Sequence, residues 1–386
     1  SQDIFVIDTD SEKLNYLDSH LDVITTNGDA TSVKTLKNIS IDKTDLLIAV
    51  TDSQNTNFAI AIIGKKLGAK KTIARINNPE FINNPYINFK ELGLDYAISP
   101  EELAANEIKM LLNQSAFNDS ITFENGALNM VGSTLNQGSP ILNLNVQQAK
   151  NKFSDIDFIT IAVKRVDESQ TVIPRGDTLF KLGDEVYFSC PKESIPKLHI
   201  LTGQESFSVE DVMILGGSKI GVKSAKKLCE EKYKVKLIEM NKDKAFNLAE
   251  ELHNTLVIQG DGRDLELLEE ENIREMDAFI AVTGNSETNI MSCLVAKSKG
   301  VKKTIALIEN MDYINISQTI GIDTLINKKL LAASEIFKHV RQGEVVALAN
   351  LKHVDAEVLE FKVNHNSPVT KNKIKDIKLT RAAVFG

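Results

Sequence analysis

The chain has 386 residues, 42% hydrophobic and 25% charged, with a formal net charge of −8. At ~150 residues per domain that is about two to three domains of ordinary globular composition, so wholesale disorder and fibrous repeats are excluded. No apolar run approaches the ~20 residues of a membrane helix, no export signal opens the chain, and the acid excess argues against a nucleic-acid partner.

The elements repeat in chain order. The segment 46–76 (LLIAVTDSQNTNFAIAIIGKKLGAKKTIARI) aligns with 278–308 (AFIAVTGNSETNIMSCLVAKSKGVKKTIALI) at an offset of 232, with 14 of 31 positions identical. VID (6–8) matches LIE (237–239), NGDAT (27–31) matches QGDGR (259–263), and ELGLD (91–95) matches TIGID (319–323). The period is far too long for a solenoid and means a duplicated domain. In the second copy the strand-like runs are 211–215, 234–239, 255–258, 277–282, 303–308 and 322–325, separated by segments with helical spacing such as Ile290, Leu294 and Val295. This alternation predicts an α/β fold with a doubly wound parallel sheet, and the near-continuous apolar strands fit a sheet covered on both faces.

Residues 120–204 read differently, with short alternating runs and turn signals at Asn125-Gly126, Gly138-Ser139-Pro140, Arg175-Gly176-Asp177 and Gly183-Asp184. They predict a small α+β domain with an antiparallel sheet. The expected organisation is a Rossmann-like domain over 1–114, a small domain over 120–204, a second Rossmann-like domain over 210–342 and a second small domain over 346–386. The first copy opens at what corresponds to the second strand of the other, so its first strand and glycine loop are expected to be missing. The last domain stops at Gly386 before the pattern of its counterpart is complete.

The strongest local signal is DVMILGGSKIG (211–221), a β run entering glycines and then an amphipathic helix. Such a turn brings a diphosphate to backbone N–H groups at a helix N-terminus. Gly216 and Gly221 fit the G-x-G-x-x-G pattern, while Ser218 stands at the second glycine, where it could crowd a phosphate. The candidate loop comprises Gly216, Gly217, Ser218, Lys219, Ile220 and Gly221; Glu239 ends the next strand, where a carboxylate accepts both ribose hydroxyls. In the first copy the acid is Asp8, Asp29 follows the next strand, and Thr51 and Asn55 follow the one after. Arg75 ends KKTIAR and could fork onto phosphate; Leu307 takes its place in the second copy. Lys70-Lys71 and Lys302-Lys303 read as solvated loop charges. The three cysteines and six histidines are scattered and offer no zinc spacing, disulfide frame or nucleophile–base pair, and this cysteine usage reads as cytosolic. No proton donor or substrate clamp for hydride transfer stands out.

These residues resemble the TrkA-type potassium-uptake regulatory family, built from tandem RCK (KTN) domains. The carriers are VIDTD (6–10), NGDAT (27–31), LLIAVTDSQNTN (46–57), KKTIARINNPEF (70–81), VIPRGDTLFKLGDEVYF (172–188) and GGSKIG (216–221). The resemblance implies a non-enzymatic, cytoplasmic subunit on the inner face of the cell membrane. It would be a homo-oligomer, dimer or ring, acting on a membrane-embedded potassium transporter. It also implies NAD(H) or ATP/ADP as ligand, held by Asp8, Asp29, Thr51 and Arg75 in the first copy and by Gly216, Gly221, Glu239, Asp261 and Thr283 in the second. Ligand would rearrange the ring and gate ion flux. Ile108, Leu111 and Leu112, with Ile336, Phe337 and Val340, could pack lobe against lobe or fill their own domain core. The competing readings are an NAD(H)-dependent oxidoreductase and a nucleotide-sensing transcription regulator.

Overall fold

The computed structural model describes residues 3–81, 84–113, 117, 119–123, 128–165, 171–203, 207–310, 321–340, 345–350, 357–361, 363, 365–371 and 373. The chain divides into two compact units, Ser1–Pro100 and Glu101–Gly386.

The first unit runs β1 (Phe5–Asp8), α1 (Ser11–His20), β2 (Ile24–Asn27), α2 (Val33–Asn38), β3 (Leu46–Ala49), α3 (Gln54–Lys66), β4 (Lys71–Arg75), α4 (Phe89–Leu92) and β5 (Tyr96–Ile98). Its strands form two parallel sheets, β1-β2 and β3-β4-β5. Ile7 of β1 and Leu47 of β3 meet in one small cluster with Leu36, Ile41 and Ala69. Helix starts follow side-chain chemistry: Asp10 caps α1 by accepting from the Glu12 and Lys13 amides, and Ser53 caps α3 by accepting from Thr56.

The second unit begins with α5 (Pro100–Asn113), which starts at the junction, then β6 (Asp119–Phe123), β7 (Leu128–Thr134), α6 (Val146–Lys152), β8 (Ile159–Lys164), β9 (Thr171–Val172), β10 (Glu185–Cys190) and α7 (Ile195–Thr202). Five of these are strands in one antiparallel sheet, ordered β6-β7-β10-β8-β9. Tyr187 pairs with Gly132 across the sheet, and a Cβ on that glycine would lie 2.6 Å from the Tyr187 ring. Of the expected turns, Gly183 takes a φ of 80°, while Asn125-Gly126 lies outside the described residues.

Next come β11 (Asp211–Leu215), α8 (Lys219–Glu230), β12 (Lys234–Glu239), α9 (Lys242–Glu251), β13 (Thr255–Gln259), α10 (Leu265–Glu270), β14 (Ala278–Ala281), α11 (Ser286–Ser298), β15 (Lys303–Leu307), β16 (Thr324–Ile326), α12 (Lys328–Val340), β17 (Val345–Asn350) and β18 (Glu357–Phe361). β11 to β16 form a six-stranded parallel sheet, ordered β13-β12-β11-β14-β15-β16, and β17-β18 pair antiparallel. The doubly wound expectation therefore holds. Val212, Ile214, Leu237, Ile280 and Ile305 point to one core, and Met213, Leu215, Ile238, Phe279 and Ala306 to the core on the opposite face. In the second copy β11 lies between β12 and β14. Their first-copy counterparts, β1 and β3, belong to separate sheets.

One alternative left open by the sequence is decided in favour of packing on the second lobe, and one reading changes. Ala104, Ile108, Leu111 and Leu112 of α5 fill the core of the β11–β16 lobe, against Ile220, Ala225 and Leu228. The helix that closes the first copy thus packs on the second, each buried leucine or isoleucine contributing roughly 1.5–3 kcal/mol. Glu102 reinforces the dock by accepting from Lys223 (2.8 Å) and Lys227 (2.6 Å). Lys303 is no solvated loop charge. It is 2% exposed, and its Nζ donates to the Phe117 carbonyl at 2.6 Å. The pair straddles the start of β15, where strand alternation turns Lys302 outward to Asp277 and Lys303 inward.

Candidate functional site

The carboxyl ends of the parallel strands hold the candidates. In the second copy the chain leaves β11 through Gly216 at φ 106°, and a Cβ there would meet the Thr283 backbone N at 3.0 Å. A Cβ on Gly221 would lie 2.0 Å from the Gly216 carbonyl oxygen, so both glycines serve the close approach of turn, strand and helix. Ser218 does not turn its side chain into the loop. Its hydroxyl donates to the Val282 carbonyl (2.7 Å) and accepts from the Gly221 amide (3.2 Å), capping α8. The Lys219 side chain is exposed. Ile220 is core, which leaves only its backbone to a ligand.

Glu239 ends β12 with 9% of its surface exposed. Its Oε2 accepts from the Gly217 amide (3.1 Å) and from Lys244 Nζ (2.7 Å), and its Oε1 from the Asn241 amide (2.9 Å). Burial pushes this carboxyl up, but Lys244 and the two amides more than offset it and hold the group below the usual carboxylate range. Asp261, after β13, is forked by Arg263 at 2.7–3.1 Å; those hydrogen bonds lower its pKa. Leu307, in the place of the first-copy arginine, is buried.

In the first copy Asp8 ends β1 and its Oδ1 accepts from the Asp10 amide at 2.9 Å. Asp29 accepts from the Thr31 amide (2.8 Å) and hydroxyl (2.7 Å), which lower its pKa. Arg75 closes β4 with its guanidinium 3.9 Å from Asp52. Asn55 is exposed in the first turn of α3.

Sequence reasoning missed one pair of residues. Asn57 is fully buried; its Oδ1 accepts from the Thr51 amide and hydroxyl (both 2.7 Å), and its Nδ2 donates to the carbonyls of Thr51 (2.9 Å) and Arg75 (3.0 Å). Asn289 repeats this with Thr283 and Leu307. Each asparagine clasps the ends of two neighbouring strands, which places Thr51 and Thr283. The signal was available, because TN stands at 56–57 and again at 288–289. Among the described residues no His, Cys, Asp and Glu group could hold a metal ion. The arrangement suits a polyanionic ligand with vicinal hydroxyls: backbone amides and a helix start for phosphate, strand-end carboxylates for ribose.

The chain is similar to known proteins along its whole length. The TrkA-N domain family matches residues 1–100 and 212–328. Among curated relatives, the Trk system potassium uptake protein TrkA of Vibrio alginolyticus is 32% identical over 392 residues, covering 100% of this chain and 85% of that protein. The TrkA of Haemophilus influenzae is 32% identical over 390 residues, covering 100% and 84%. Among solved structures, the GsuK RCK domain superposes with a TM-score of 0.62 at 15% identity, covering 87% of this chain and 71% of that one. The GsuK channel bound to NAD gives 0.61 at 14% identity, covering 87% and 59%. Repeated strand-end acids, a glycine turn on a parallel sheet and full-length similarity place the chain in the TrkA-type family of potassium-uptake proteins.

Proposed function

We propose that the chain is a nucleotide-binding regulatory subunit of a potassium-uptake transporter. The observation that carries this reading is the Glu239 carboxylate joined to the Gly217 amide at the carboxyl edge of the sheet, with Asp8 at the matching strand end of the first copy. Relatives carrying the name Trk system potassium uptake protein support the transport role, and GsuK bound to NAD and to ADP supports either dinucleotide or adenine nucleotide as ligand. In this reading the phosphates lie at Gly216–Gly221 in the second copy and at Arg75 in the first. Asp8, Asp29, Glu239 and Asp261 face the adenosine, and Thr51, Asn55 and Thr283 line the edge.

Among the described residues no helix is long and apolar enough to cross a membrane, so a separate membrane-embedded subunit would carry the ion. The protein would sit against the inner face of the cell membrane as a homo-oligomer, dimer or ring, and would catalyse no reaction. Its proposed division, 1–114, 120–204, 210–342 and 346–386, accommodates the sheets found; most of 346–386 lies outside the described residues. Ligand shifts the lobes only through differential affinity for two arrangements, about tenfold in population per 1.4 kcal/mol. The test is potassium uptake by cells that lack their own peripheral subunit. The intact protein restores it and the Asp8→Ala, Glu239→Ala double variant does not; equal uptake by both would refute the nucleotide role.

A further inference from the structure

The two copies differ in how the ribose-facing acid is occupied. Lys244 stands in the first turn of α9, where the helix dipole disfavours a cation. It reaches back to Glu239 Oε2 at 2.7 Å, and Asn241, the N-cap, is a neutral amide that offers no competing charge. With the Gly217 and Asn241 amides also bound, both Glu239 oxygens are engaged. The first copy differs here at several positions, DTDSEK at 8–13 against EMNKDK at 239–244: the strand-end acid is the shorter Asp8, the N-cap is Asp10, and the equivalent Lys13 lies 3.8 Å from the Asp10 carboxylate. Among the described residues the Asp8 carboxylate accepts only from the Asp10 amide.

We propose that Lys244 is a self-masking residue of the second-copy site. Its ammonium holds the carboxylate that would receive the ribose hydroxyls, so an adenosine-bearing ligand enters by displacing it. In the first copy the lysine at that position lies nearest the acidic N-cap, and among the described residues it makes no ion pair with Asp8. This rests on the nucleotide reading above. It makes the second copy a site that binds an adenosine-bearing ligand less tightly than it would with Glu239 unmasked.

The test is calorimetric titration of the full chain with ADP and with 2′,3′-dideoxy-ADP, for the wild type and for Lys244→Met, Lys244→Arg and Asn241→Asp. Aspartate caps a helix as well as asparagine, so the last variant keeps the fold while copying the first repeat. A charge-assisted hydrogen bond at a half-exposed lysine corresponds to about tenfold in affinity. Second-site affinity for ADP rises by that factor in Lys244→Met and Asn241→Asp and stays unchanged in Lys244→Arg. The dideoxy ligand, which has no ribose hydroxyls, is unaffected by any of them. An unchanged or weaker ADP affinity in Lys244→Met overturns the proposal, as does an equal gain for both ligands, which would mean general loosening. Absence of binding by wild type and variants alike defeats the nucleotide reading itself.

Discussion

Replacing Asn289 by alanine isolates the strand-end clasp. The side chain is 1% exposed and makes four hydrogen bonds, accepting from the Thr283 amide (2.9 Å) and hydroxyl (2.6 Å) and donating to the carbonyls of Thr283 (3.1 Å) and Leu307 (2.8 Å). The Thr283 hydroxyl can turn to solvent, but the Leu307 carbonyl and the Thr283 backbone N–H and C=O each lose the Asn289 partner. At ~1–3 kcal/mol per stranded group, the buried Leu307 carbonyl and the half-buried Thr283 backbone together cost about 2–6 kcal/mol. In a chain of several domains a single melting curve does not localise that loss, so amide hydrogen exchange is the suitable assay. Peptides spanning β14 and β15 lose protection equivalent to that figure, while those of β6 to β10 keep theirs. Asn289→Asp, whose second oxygen would face the same two carbonyls in a buried place, loses at least as much protection as the alanine variant. Full protection of β14 and β15 in the alanine variant would refute the clasp.

Three further expectations follow from the geometry. Gly221→Ala puts a Cβ 2.0 Å from the Gly216 carbonyl and costs about 1–3 kcal/mol as α8 is pushed off the sheet; Gly284→Ala, with nothing within 4 Å, costs little, and paired thermal melts check the contrast. Burial raises the Glu185 carboxyl from 4.5 to about 8, with neighbouring Asp119 adding to the rise and Lys164 opposing it. The folded state therefore binds the extra proton within that window, so the stability of the β6–β10 domain falls as pH rises from about 4.5 to about 8, and Glu185→Gln flattens the profile. Cys190 and Cys293 are buried with thiols pushed up, Cys190 to about 12, while Cys229 is partly exposed; a thiol reagent modifies Cys229 first, which mass mapping of the adduct reads.

The repeat and the strand–helix alternation made the fold class legible, because a strand covered on both faces must be apolar throughout. All six strand-like runs of the second copy correspond to strands, two with the same ends and four with ends shifted by one or two residues. What stayed hidden depended on partners. An amphipathic α5 declares a buried face but not which core receives it. Lys303 was misread because a lysine pair before a strand looks solvated until the strand's first residue is known. Asn57 and Asn289 looked like ordinary helix polar residues, since a buried amide is told apart only by the carbonyls it meets. The acids at the strand ends were visible in the sequence. That Lys244 is aimed at one of them, and Lys13 at Asp10, was not.

The measurement that bears most directly on the account is calorimetric titration of the intact protein with ATP, ADP, NAD⁺ and NADH, repeated with Arg75→Ala and Glu239→Ala. At least one of these ligands binds, Arg75→Ala weakens the event at the first copy and Glu239→Ala the event at the second. No heat of binding from any of the four, with the protein folded, would contradict the account.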